Sequence, residues 1–159
     1  MKPRVYIETT VISYLVPRSM RDVIQVARQQ LTRAWWDQRA EDFDLVVSQL
    51  VINEAARGDQ RYARRRLELL NDLPLLSATP ESEDWANRIL ASRVFPPQAT
   101  ADVAHLALAT AHGVDFLLTW NCKHLANPLL LRQVGRMIRA AGLEPPIVCT
   151  PEELMGETL

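Results

Sequence analysis

With 159 residues the chain has the length of one ordinary domain, able to bury roughly two-thirds of its unfolded surface around a single core. Hydrophobic residues make up 48% and charged residues 23%, a balance that excludes intrinsic disorder. Lys+Arg 18 against Asp+Glu 19 leaves a net charge of -1, which excludes a uniformly basic nucleic-acid binder and a protein drawn to an anionic membrane by its overall field.

Arg4–Ile7 (RVYI) reads as the first strand, and the glutamate that follows stands where a secretory signal would place its apolar segment. From Asp22 to about Arg39, apolar residues at Val23, Val26, Ala27, Leu31, Ala34 and Trp35 recur near a 3.6 period, which predicts an amphipathic helix. Leu45–Val47 is a second strand, Ser48 a good N-cap for a helix Gln49–Arg57, and Gly58 a left-handed stop. A helix Gln60–Leu73 and a weak strand at Leu75–Leu76 follow. Glu81–Arg93 and Thr100–His112 are two more helices, separated by Pro96-Pro97, the second capped by Thr100 and ended by Gly113. Phe116–Thr119 is a strand, Pro128–Ala141 a helix closed by Gly142, Ile147–Cys149 the last strand and Pro151–Met155 a short turn.

The strands are too continuously apolar for a sheet with one wet face, so helices are expected on both faces: a three-layer α/β fold around a parallel sheet of about five strands. No repeat and no linker divides residues 1–159, which read as a single domain. No apolar stretch reaches the ~18 residues of a membrane span. Cys122 and Cys149 have neither zinc spacing nor a disulfide framework and read as small core residues, which fits a reducing, cytoplasmic compartment.

The five glycines are too scattered for a dinucleotide fingerprint or a P-loop, and G-x-S-x-G and H-E-x-x-H are both missing. What remains is a set of carboxylates. In a parallel sheet the ligand crevice lies beyond the carboxyl ends of the strands. Glu8, with Thr9 and Thr10, follows the first strand, and Glu54 lies in the helix after the second. Asp102 is in the first turn of the helix that leads into the fourth strand, and Asn121 follows that strand. Asp115 precedes it and belongs to the opposite rim. Carboxylates gathered on one rim repel unless neutralised, and the usual neutraliser of an all-oxygen set is Mg2+ or Mn2+, which suits phosphoryl chemistry. Singly, each has a plainer reading: Asp102 answers the helix dipole, Glu54 is solvated, and Glu8 pairs with an arginine.

VYIETTVISYL, SQLVINEAARGD, ATADVAHLALATAHGVD and FLLTWNCKHLAN resemble the successive motifs of PIN-domain ribonucleases, specifically the VapC-type toxins of bacterial toxin–antitoxin pairs. The resemblance spans nearly the whole chain. It implies a PIN-like fold, an acidic site dependent on Mg2+ (or Mn2+) that cuts RNA, and a small antitoxin partner. Glu8, Glu54, Asp102 and Asn121 carry over as catalytic positions, with Glu8, Glu54 and Asp102 on the metal and Thr9 or Thr10 as the accessory hydroxyl. Two departures stand out: Glu8 replaces the usual Asp, and Asn121 replaces the common fourth Asp. They leave open a catalytically degenerate PIN-like module that binds RNA or a protein partner.

His105 lies one turn from Asp102, either orienting it or touching substrate, or simply satisfied in the core. His112 suits a helix C-terminus, and His124 an exposed loop or a helix start. Arg57, Arg61, Arg64, Arg65 and Arg66 are either a phosphate track for RNA or a solvated face. Of Trp35 and Trp36, one is expected in the core and the other at an interface with a homodimer mate or partner. Trp120 is either buried or a stacking platform for a base.

Overall fold

The computed structural model describes residues 1–156. In chain order it contains β1 (Arg4–Ile7), α1 (Thr9–Leu15), α2 (Val23–Arg39), β2 (Asp44–Ser48), α3 (Gln49–Ala55), α4 (Gln60–Leu70), β3 (Leu75–Leu76), α5 (Pro80–Ala91), α6 (Thr100–Ala111), β4 (Phe116–Leu118), α7 (Pro128–Ala140) and β5 (Ile147–Cys149). All strand pairs are parallel, in the order β3-β2-β1-β4-β5. This is the expected three-layer α/β fold. In β1, Val5, Tyr6 and Ile7 are fully buried although they point to alternate faces, so both faces of the central strand are covered.

The chain leaves β1 toward β2 and β3 on one side and later returns to β4 and β5 on the other. The strand order therefore reverses between β1 and β4, where a crevice opens beyond the carboxyl ends. The register sets Ile7 against Leu118, so Glu8 and Thr119 emerge side by side at that point.

Local chemistry accounts for the element ends. Ser48 caps α3 by accepting from the Val51 amide, as expected. Asp22, Asp59 and Asn127 cap α2, α4 and α7 in the same way. Thr79 and Ser82 form a reciprocal capping box on α5. Gly58, Gly113 and Gly142 all have positive φ, as the chain stops after α3, α6 and α7 require.

Several expectations need correction. Thr100 does not cap α6: Ala99 holds the cap position, and Thr100 is already helical, its hydroxyl bonded to the Pro97 carbonyl. Val23 and Ala27 are exposed; α2 is held to the core mainly through Thr32 and Trp35 and the half-buried Leu31 and Trp36. Cys122 is exposed, whereas Cys149 is buried, its thiol pushed up to about 12 by burial. Helices α3 and α4 end at Ala55 and Leu70, earlier than predicted, and the terminal turn is a single 3-10 turn at Glu153–Met155. Helix α1, directly after Glu8, was not anticipated.

Candidate active site

Glu8 follows β1 directly and caps α1, accepting from the Thr10 amide at 3.2 Å. Its Oε1 also accepts from the Thr10 and Thr119 hydroxyls, the latter at 2.6 Å. The side chain is buried, yet among the described residues it forms no ion pair. The pairing of Glu8 with an arginine is thus not seen; neutral hydroxyls and an amide solvate the carboxylate instead. A buried anion without a counter-charge is costly.

Glu54, on α3, brings its carboxylate beside Glu8. One oxygen of each and a ring nitrogen of His105 lie within 4.8 Å of one another. Glu54 Oε1 accepts from the Thr9 hydroxyl at 2.6 Å and pairs with His105 Nε2 at 2.7 Å. Burial pushes Glu54 upward, but the bonds from His105 and Thr9, with the charge of Arg57, hold it below the ordinary carboxylate range. His105 therefore meets Glu54 and does not orient Asp102. Its Nδ1 lies 2.6 Å from the hydroxyl of Tyr6, which in turn meets Ser48 Oγ at 2.7 Å. Burial, with the charges of Glu8 and Glu54 nearby, drives the Tyr6 phenol well above its usual range despite the Ser48 hydrogen bond, so it stays protonated.

Asp102 stands slightly apart, outside the Glu8–Glu54–His105 group. Its Oδ1 accepts from the Asn121 side-chain amide at 2.8 Å, and its Oδ2 lies 3.5 Å from His124 Nδ1. His124 does lie in a loop, as read, but is only partly exposed and reaches Asp102. Asn121 Oδ1 accepts from the His124 amide, so the Asn121 side chain turns its donor toward Asp102. The Asn121 amide bonds the Thr119 hydroxyl at 3.0 Å, and Thr119 bonds Glu8. Asp102 and Glu8 are consequently joined through Asn121 and Thr119. All four expected residues share one rim, while Asp115 accepts from the Arg4 amide at the other end of β4, as expected.

A cleft of about 510 Å³ opens above Glu8, Thr9, Thr10 and Glu54, and its lining includes Arg18 and Arg21. These two arginines were missed, because the segment between α1 and α2 has no periodicity to draw the eye. Tyr6, Ser48 and Thr119 were also passed over. The available signal was a tyrosine in a strand buried on both faces, since a buried phenol needs a partner. Of the α4 arginines, Arg61 pairs with Asp59 at 3.0 Å and Arg66 bonds the Ala55 and Arg57 carbonyls, whereas Arg64 and Arg65 are exposed. Trp120 is buried, its indole donating to Thr32 Oγ1 at 2.7 Å, which removes it as a base platform.

The donor set suits a hard divalent cation: two close carboxylates, one buried without counter-charge, and a third, Asp102, tied to them through Asn121 and Thr119. The family model of the PIN domain matches residues 5–121. No curated protein matches the sequence. Among solved structures, a chain of VapBC2 from Rickettsia felis, crystallised with a DNA fragment from their promoter, is similar at 12% identity. The alignment has a TM-score of 0.52 and covers 92% of this chain and 98% of that chain.

Proposed function

The chain belongs to the PIN-domain family, and from that premise we propose that it is a metal-dependent endoribonuclease, the toxin of a VapC-type toxin–antitoxin pair. The observation that carries the reading is the meeting of Glu8 and Glu54 at the point where the strand order reverses, with Asp102 tied in through Asn121. Glu8, Glu54 and Asp102 would hold Mg2+ or Mn2+. The ion supplies a Lewis acid that activates water and offsets the charge on a phosphodiester.

The chain's own residues do the rest. Thr10 and Thr119 fix Glu8, Thr9 and His105 fix Glu54, and Asn121 fixes Asp102, so the acidic oxygens are preorganised before substrate arrives. Arg18 and Arg21 are placed to grip RNA phosphates across the cleft, with Arg57 close enough to stabilise the Glu54 charge. Arg64 and Arg65, exposed on α4, are further candidates for RNA phosphate contact. The likeness to a chain of VapBC2 supports a small antitoxin as partner. Half-buried Trp36 is our candidate for a homodimer contact.

Incubating the protein with a mixed RNA pool, with Mn2+ or with a chelator, tests the reading. Expected are cleavage and a rise in melting temperature with Mn2+ only. Neither response would instead indicate a degenerate module that binds RNA or a partner without cutting, and cleavage of DNA alone would overturn the choice of substrate.

A further inference from the structure

We propose that Ser48, Tyr6 and His105 form a buried positioning chain that sets the rotation of Glu54, saturating Oε1 from within the fold and leaving Oε2 for the cleft. Its catalytic consequence rests on the nuclease reading above. All three residues are essentially inaccessible, at 1%, 0% and 1% exposure. The links measure 2.7 Å from Ser48 to Tyr6, 2.6 Å from Tyr6 to His105 Nδ1 and 2.7 Å from His105 Nε2 to Glu54 Oε1.

The chain has a direction. An ionised carboxylate at 2.7 Å needs a hydrogen on Nε2. In the neutral ring Nδ1 is then an acceptor, so the Tyr6 hydroxyl donates to it. Tyr6 in turn accepts from Ser48, whose oxygen also takes the Val51 amide and so ties the chain to the start of α3. Helix α3 is the element that carries Glu54, and the chain thus spans β1, β2, α3 and α6. With Thr9 on the same oxygen, Oε1 is filled twice, while among the described residues no group of the protein bonds Oε2. Glu54 lines the cleft with Glu8, Arg18 and Arg21. An oxygen held toward the cleft at fixed rotation is what a cation or its water shell would meet.

Nitrogen NMR of the 15N-labelled histidine ring in the wild-type protein tests the arrangement directly. Hydrogen on Nε2 with a bare Nδ1 is expected; a hydrogen on Nδ1 would overturn the proposal. Mn2+ affinity by calorimetry, with RNA cleavage alongside, should then be measured for Tyr6→Phe, His105→Leu and His105→Gln. His105→Leu should weaken Mn2+ binding about tenfold or more. Tyr6→Phe should weaken it less, and His105→Gln, which keeps a donor toward Glu54, should recover most of the loss. The cleavage defect should fall on kcat and leave KM for RNA largely unchanged. Folded Tyr6→Phe and His105→Leu proteins with wild-type Mn2+ affinity would overturn the proposal. Wild type that neither binds Mn2+ nor cleaves RNA would remove the nuclease reading, and the ring spectrum would still decide whether the chain orients Glu54.

Discussion

Glu8 shows how a carboxylate is kept in a nearly dry position without a cation, since the Thr10 and Thr119 hydroxyls and one amide supply what water would. Glu54 illustrates the linkage between site and stability. Its folded pKa lies below the ordinary glutamate value, so its contribution is complete above that range and is lost as pH falls through the lowered value. Glu54→Gln should therefore flatten that part of the acid limb, read as melting temperature against pH from neutral into the acid range. At Trp120, Thr32→Val would leave a buried indole N–H unpaired and should cost about 1–3 kcal/mol in denaturant unfolding. Glu8, Glu54, Asp102 and Asn121 were legible because position relative to a strand's carboxyl end is a one-dimensional property. The partners of His105 were not, because a bond from β1 to α6 spans 99 residues and leaves no trace in local pattern.

At the scale of elements, long periodic helices and apolar strands were legible, and their ends were shifted by a few residues. Helix α1 escaped because TTVISYL continues the apolar run of β1 over only seven residues, too short for a helical period to declare itself. The predicted stripe of α2 failed near its start, where Val23 stands 78% exposed and Ala27 is exposed as well. The turn between α6 and β4 depends on Gly113 at φ +61°, with open space around an added Cβ. Gly113→Ala should consequently lose about 1 kcal/mol of stability from backbone strain alone, with no change in packing.

For the molecule as a whole, a net charge of -1 conceals one cleft lined by both the acids Glu8 and Glu54 and the cations Arg18 and Arg21. Removing Arg18 and Arg21 together should raise KM for RNA and lower its salt dependence, whereas Arg61→Ala, already paired to Asp59, should do little. The central claim is that the converging carboxylates form a nuclease site that needs a divalent cation. The most direct measurement is Mn2+-dependent RNA cleavage by wild type and by Asp102→Asn, with folding of both confirmed by thermal melting. Loss of metal-dependent cleavage is expected in a variant that melts as wild type does; undiminished cleavage by that variant would contradict a role for Asp102 in such a site.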